Sequence, residues 1–345
     1  MTYDNRTLVW GELKAEPGQF VTGMVKVAEL SHRGPVLMPV LIVNGAKPGP
    51  RLWLNGAVHG DELNGPMAIR NLLPALEPEK LSGAIIATPI SNPLAFQARQ
   101  KNTPQDSLDL DMQFPGDPNG TLSQRLAHLL FERIKEMATH LIDCHTLGTH
   151  FQALPYTVFK RIPAASSEIS DQAERMARAF GATAHCRVDL GGSLNELPGN
   201  VSGFLDVQCQ IHGIPAFMAE LGWGGVLQPE IVSFSERGFL AVLHDLEMWP
   251  EAPDPAPYTA PRTITRRRFL YTDHGGLCID GAAPGTVVRA GERVCRIVDM
   301  FGTVQEIIAD EDMYIIASRQ NPPVDTGDRV AFVGLAWEQE EDIDE

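Results

Sequence analysis

The sequence predicts an α/β protein: a mixed sheet with flanking helices, followed by a small C-terminal β-sandwich or barrel. Three observations carry that prediction. From Leu52 to about Trp249, apolar strand-like runs alternate with helical stretches, the pattern of a sheet covered by helices. Five prolines then fall between positions 250 and 261, a density that forbids helix and favours an extended linker. Beyond the prolines the chain changes to short β segments separated by Gly-containing turns. With 345 residues, a large core and two domains are expected.

The elements follow in order. Phe20 to Val27 and Val36 to Val43 read as strands, with a turn at Ala46 to Pro50. Arg51 to Val58 is an apolar run ending at His59, and Leu63, Met67, Ile69, Leu72, Leu73 and Leu76 then recur at helical spacing, with Pro66 tolerated in the first turn. Ala84 to Ile90, Leu141 to His145 and Pro215 to Glu220 are further strands; Leu122 to Met137, Ser170 to Phe180 and Pro229 to Met248 are helices. The expected boundaries are a first domain at 1–249, a linker at 250–261, a β domain at 262–337 and an acidic tail at 338–345. In the β domain, Pro284 to Val294 is echoed by Pro323 to Val330, which resembles the two half-motifs of a lipoyl/biotinyl-like sandwich. A carrier domain of that type needs a lysine to modify. Arg262 to Leu335 contains none, so a swinging-arm role is excluded.

Composition narrows the function. Hydrophobic residues make up 43% and charged residues 21%, ordinary values for a globular chain. A net charge of −16 argues against nucleic acid and anionic membrane surfaces as partners. No apolar run approaches the ~20 residues that span a bilayer, and the N-terminus lacks the basic start and apolar core of a signal peptide. The five cysteines (144, 186, 209, 278 and 295) are scattered without C-x-x-C spacing and read as reduced thiols of a cytoplasmic protein. Six acids in the last eight residues read as a solvated tail.

The chemistry sits at three strand ends. His59-Gly60-Asp61-Glu62 and, far downstream, Asp143-Cys144-His145 supply an H-x-x-E…H set suited to catalytic zinc, which takes three protein ligands and leaves one position open. Glu220 ends a third strand and suits a general base. Asp143 shares a strand face with His145 and would orient it from behind. Each residue also has a bland reading: a lone His-x-x-Glu occurs by chance on many helices, His145 alone suits an interior histidine, and Glu220 alone could cap a helix or pair with an arginine. Together, three polar residues at three apolar strand ends are hard to explain as packing. No G-x-S-x-G elbow, Walker loop or Rossmann glycine pattern is present.

On these residues, and on Pro89-Ile90-Ser91-Asn92-Pro93, Phe114-Pro115-Gly116 and Glu220-Leu221-Gly222, most of the chain resembles the succinylglutamate desuccinylase/aspartoacylase family of the zinc carboxypeptidase-like clan. The resemblance implies a zinc amidohydrolase that removes an acyl group from an amine. It implies one Zn2+ per chain held by His59, Glu62 and His145, with Glu220 as base, and it alone allows a homo-oligomer. The expected partner is a small acylated amine, with neither nucleic acid nor membrane. One segment departs from the family pattern Asn-Leu-Asn-Arg-x-Phe-Pro-Gly: here Asp111 and Met112 stand where asparagine and the carboxylate-gripping arginine belong. Lys101 stands where relatives carry the arginine of Arg-x-Ser-Pro. Methionine cannot replace an arginine fork, and an aspartate beside that pocket repels carboxylates and attracts cations. The expected substrate therefore lacks the usual α-carboxylate, with Lys101, Asp111 and Met112 as pocket residues. Two alternatives stand beside this: a non-catalytic metal- or ligand-binding relative, and a metallocarboxypeptidase, which would need the missing clamp.

Overall fold

The computed structural model describes residues 3–191, 203–258 and 261–339. Thr259 and Ala260 of the expected linker and residues 340–345 of the expected tail lie outside them.

A hairpin of β1 (Leu8–Trp10) and β2 (Leu13–Ala15) precedes a thirteen-stranded mixed sheet. One half of that sheet contains β3 (Gln19–Glu29), β4 (Pro35–Asn44), β5 (Lys47–Asn55), β6 (Ser82–Thr88), β7 (His140–His145), β9 (Tyr156–Arg161), β10 (Ala184–Asp189) and β11 (Ala216–Glu220). Strands β5, β7 and β11 run parallel, with Asn55 opposite Asp143, Met218 opposite Asp143 and Glu220 opposite His145. Their C-terminal ends therefore arrive together, at the edge where α/β sheets place ligands.

Two apolar layers fix this platform. On one face, α1 (Asn64–Leu72), α4 (Ser167–Ala179) and α6 (Pro229–Asp245) pack Ile69, Met176 and Val242 against Leu54, Ile142 and Phe217. On the other, α3 (Leu122–Met137) and α5 (Leu205–Ile211) pack Leu130, Phe131 and Leu205 against Trp53, Leu141 and Ala216. Strand β7 is buried along its whole length. Ile142 and Cys144 belong to the first layer and Leu141 to the second, so Asp143 and His145, alternating with the former, share the face of Leu141.

The sheet does not stop at the prolines. Strand β12 (Arg262–Tyr271) adds parallel to β10, β19 (Arg329–Gln339) pairs antiparallel with β12, and β17 (Met313–Arg319) pairs with β19. Strand β17 also pairs with β8 (Phe151–Ala153), which follows directly on the His145 strand, and with β14 (Val287–Val288). The opposing four-stranded sheet contains β13 (Gly276–Ile279), β15 (Arg293–Val298), β16 (Thr303–Ile308) and β18 (Pro323–Val324). The C-terminal part is thus β structure, as expected; its own strands pair antiparallel, and β12 hydrogen-bonds it to the platform that carries the strand ends.

One expectation is corrected. Residues 46–50 are not a turn: β5 begins at Lys47 and runs beside β6 through a register irregularity before Arg51. Gly49 makes this possible, since a Cβ there would lie 2.5 Å from the Ser82 carbonyl carbon. All five cysteines are buried and none forms a disulfide, and no helix among the described residues is long and apolar enough to cross a membrane.

Acid stability follows from His185, fully buried on β10, whose Nδ1 lies 2.7 Å from Thr157 Oγ1. Burial, helped by the charge of Arg178, pushes its pKa down to about 3. In the unfolded chain it titrates near 6.5, so its contribution is complete above pH 6.5 and is lost as pH falls toward 3. Between pH 7.5 and 5 this histidine alone lowers the unfolding free energy by about 2 kcal/mol. Denaturant unfolding of His185→Gln at the two pH values should show a difference smaller by about that amount; an unchanged difference would count against it.

Candidate metal centre and active-site cavity

His59 and Glu62 lie in the loop joining β5 to α1. The loop is clamped from beneath. Asn92 Nδ2 donates to Val58 O at 3.2 Å and to Thr103 Oγ1 at 3.0 Å, and Gly60 sits so close to α2 (Pro93–Ala98) that a Cβ would fall 1.9 Å from the Ala95 carbonyl carbon. Ser91 and Thr88 both donate to Asn55 Oδ1, and Asn55 Nδ2 donates to Asp143 Oδ1 at 2.7 Å. This accounts for the Pro-Ile-Ser-Asn-Pro segment: it braces the two metal-ligand candidates and the carboxylate behind His145.

The candidate ligands converge. His59 Nδ1 is 2.9 Å from Glu62 Oε1, and His145 Nδ1 is 3.3 Å from Glu62 Oε2. The far ring nitrogens are held by other carboxylates: His59 Nε2 is 3.0 Å from Asp109 Oδ1, and His145 Nε2 is 3.1 Å from Asp143 Oδ2. Such backing fixes the ring orientation and leaves each Nδ1 directed at the centre. His59, Asp111 and His145 offer ligand atoms that all lie within 4.8 Å of one another. The site could therefore hold a metal ion.

The polar atoms agree with that reading. Glu62 Oε2, Asp143 Oδ2 and His145 Nε2 are buried and, despite ion-pair distances of 3.1–3.3 Å, are not aligned into hydrogen bonds among the described residues. Glu220 Oε2 is also buried without a hydrogen-bond partner there. Unsatisfied buried carboxylate oxygens facing imidazole nitrogens suit a cation better than they suit each other. Charge points the same way. Burial opposes the ionised form of Glu62, yet the two imidazoles outweigh it and hold Glu62 down at about 2. Burial likewise opposes the protonated form of His59, but Glu62 and Asp109 raise it to about 9. Glu62, Asp109 and Asp143 thus surround the two imidazoles with carboxylates, a donor set that favours a cation there.

A cavity of about 400 Å³ opens beside this centre. It is lined by His59, Glu62, Lys101, Asp111, Met112, His145 and Glu220, seven of the eight residues expected from the sequence; Asp143 stands behind His145. Burial raises Glu220 to about 7 and Asp111 to about 6. Lys101 is not a free cation: its Nζ is 2.9 Å from Asp109 Oδ2. Met112 and the Phe-Pro-Gly turn are positioned by backbone contacts. Phe114 N donates to Gly203 O at 3.0 Å, and Gly116, at φ +84°, lies where a Cβ would be 2.1 Å from His128 N.

Sequence reasoning missed Asp109, although it lies two residues before Asp111 in the segment that departs from the family pattern. It missed the fully buried ion pair of Lys160 with Asp206, at 2.6 Å. It also missed Arg267, Phe269, Arg329 and Phe332, which line the cavity from the C-terminal strands. No local signal places those four in the cavity, because long-range strand pairing, β12 with β10 and β17 with β8, brings them there.

Comparison with known proteins gives consistent results. The model of the succinylglutamate desuccinylase/aspartoacylase catalytic domain matches residues 48–246. An N-alpha-acetyl-L-2,4-diaminobutyric acid deacetylase of Halomonas elongata is 28% identical over 306 residues, covering 87% of this chain and 86% of that protein. The crystal structure of a succinylglutamate desuccinylase/aspartoacylase from Rhodobacter sphaeroides superposes with a TM-score of 0.82 at 26% identity, covering 98% of this chain and all of that one. The product-bound structure of the ectoine utilization protein EutE (DoeB) from Ruegeria pomeroyi shares the fold, with a TM-score of 0.82 at 22% identity over 96% of this chain and 99% of that one.

Metal analysis tests the geometry. The purified protein should carry close to one divalent ion per chain, and His145→Ala or Glu62→Ala should abolish stoichiometric binding. Asp109→Asn and Asp143→Asn, which keep the ligands but loosen their orientation, should each weaken affinity about 10–100-fold. Full metal retention in Glu62→Ala would remove Glu62 from the ligand set.

Proposed function

Because the chain belongs to the succinylglutamate desuccinylase/aspartoacylase family, we propose that it is a zinc-dependent deacylase hydrolysing the amide of a small acylated amine that carries a second, cationic amino group. The observation that carries this reading is the convergence of His59 Nδ1 and His145 Nδ1 on Glu62, with Glu220 lining the same cavity. In this reading His59, Glu62 and His145 hold the metal, one ion per chain. Lewis-acid polarisation of the acyl carbonyl and acidification of a water are what that ion supplies when bound.

The chain's own residues supply the rest. Glu220 lies opposite His145 on the neighbouring strand, and burial brings its pKa to about 7, where it can take the proton of the attacking water and hand it to the leaving nitrogen. Water is consumed, the C–N bond breaks, and a carboxylate and a free amine leave. Asp109 and Asp143 hold the two imidazoles in place. Five carboxylates line the cavity (Asp61, Glu62, Asp109, Asp111 and Glu220), while Lys101 is paired with Asp109 and Lys160 with Asp206. Arg267 and Arg329 line the cavity from the C-terminal strands, so the negative sign belongs to the metal end, which attracts a cationic group of the substrate. The Halomonas relative's substrate, an N-acetyl diamino acid, keeps one free amine beside the amide, which supports this choice of class.

The test is hydrolysis by the zinc-loaded protein of a panel of N-acyl diamines, N-acyl diamino acids and N-acyl monoamines. A preference for substrates with a free second amine is expected; absence of turnover across the panel would remove the deacylase reading. Glu220→Gln should lower kcat about 10²–10⁴-fold with metal content unchanged. Near-normal turnover in that variant would reject Glu220 as the base.

A further inference from the structure

Position 112 speaks against a substrate carboxylate only if the clamp must come from the catalytic segment. The cavity is not closed by that segment alone. The family match ends at residue 246, and Arg267, Phe269, Arg329 and Phe332 reach the cavity from β12 and β19 beyond it.

We propose that Arg329 binds a carboxylate of the acylated amine, in place of the arginine absent at position 112. This rests on the deacylase reading and names a second recognition handle on its substrate.

The other cations can be weighed in turn. Arg99 is exposed and does not line the cavity. Lys101 is committed to Asp109. Lys160 is fully buried, with Nζ 2.6 Å from both oxygens of Asp206 and 3.0 Å from Met218 Sδ, which leaves its ammonium no room to reach a ligand. Arg267 is buried and gives Nη1 to Arg187 O at 2.7 Å, an anchorage to the neighbouring strand. Arg329 differs from all of these. Its guanidinium carbon lies 4.2 Å from the centre of the Phe269 ring, and among the described residues it makes no ion pair. The ring holding it is itself held: Phe269 stacks on Phe332 at 4.5 Å with planes 22° apart, and Phe332 packs against Tyr156 at 6.5 Å.

A guanidinium held over an aromatic face by cation–π attraction spends none of its N–H donors on that contact, so they stay available to meet a carboxylate bidentately. Phe269 also spares Arg329 the loss of side-chain freedom on binding, since its orientation is already set. The result is a cavity with opposite poles. The metal end carries Asp61, Asp111 and Glu220; the C-terminal wall carries Arg329. A molecule bearing an amine and a carboxylate on either side of its amide matches that polarity, and a diamine matches only half of it.

The experiment uses the full-length zinc-loaded protein and two matched substrates: an N-acyl diamino acid and the same compound with its carboxylate converted to a carboxamide. The wild type should favour the carboxylate. Arg329→Met should lower kcat/KM for the carboxylate about 10–100-fold, mainly through KM, and lower it much less for the carboxamide, which keeps an acceptor but loses the charge. Arg329→Lys should fall between, because an ammonium keeps the charge and loses the fork. Calorimetric binding of the free diamino acid product should weaken in parallel, with metal content and thermal unfolding unchanged. Equal losses for both substrates, or no loss for either, would overturn the clamp, as would a wild type that favours the carboxamide. A protein that hydrolyses nothing, yet binds the diamino acid only when Arg329 is present, would reject the deacylase reading and retain the clamp.

Discussion

A chain of alternating charge runs through the centre of this molecule: Lys101, Asp109, His59, Glu62, His145 and Asp143, each within 3.3 Å of the next. From Asp109 to Asp143 these side chains are largely withdrawn from water, and burying ionised groups is tolerated only when each meets an opposite charge in good geometry. The geometry is exacting because Glu62 must serve two imidazoles at once. It is met because His59 and Glu62 are fixed in a clamped loop while His145 and Asp143 are fixed on a fully buried strand. Removing any member leaves its neighbour buried and uncompensated, a heavier cost than the lost contact itself. Trp53, Ser91, Asn92 and Asn55, remote from any substrate, matter because they hold the two halves of that chain in register.

The platform explains why the centre sits where it does, and the C-terminal strands explain its shape. Parallel strands β5, β7 and β11 bring polar ends to one edge, which by itself would make an open shelf. Strand β12 joins the same sheet beside β10, and β17 pairs with β8 only six residues after His145. The second wall is therefore tied by backbone hydrogen bonds to the segment that carries the ligand. A wall built this way sets a fixed distance between its side chains and the metal centre, and cavity length becomes a property of the fold.

Much of this was legible in the sequence, and the boundary of legibility has a physical cause. Polar residues ending apolar strands, such as His145 and Glu220, stand out because fully buried strands otherwise admit only apolar side chains. The helix Leu122–Met137 was readable from its period, and a Thr121–Gln124 capping box marks its start. The extent of β5 was misread because Pro48, Gly49 and Pro50 carry turn chemistry, while what they form is a close backbone approach to Ser82. Asp109 was passed over because local pattern cannot say which nitrogen of His59 an aspartate fifty residues away will meet. Arg329 and Phe269 were invisible for a stronger reason: their proximity to Glu220 is a consequence of sheet order, and sheet order is not written in any window of residues.

The altered segment at 111 and 112 is best understood as a change of field. Relative to the family pattern, the site loses a positive charge at Met112 and gains negative ones at Asp109 and at Asp111, the latter within 4.8 Å of ligand atoms of both histidines. Both changes make the metal end more negative, and in a buried site such charges act at low effective dielectric. More negative charge around a cation binds it more firmly and weakens its pull on a carbonyl, so the exchange would be unfavourable for catalysis if nothing answered it. In the proposed reaction a substrate amine next to Asp111 would answer it. Burial raises the Asp111 carboxyl to about 6, which a neighbouring cation would lower again. On the proposed reading, Asp111 would favour a cationic group of the substrate at the metal end, while Arg329 supplies positive charge on the C-terminal wall.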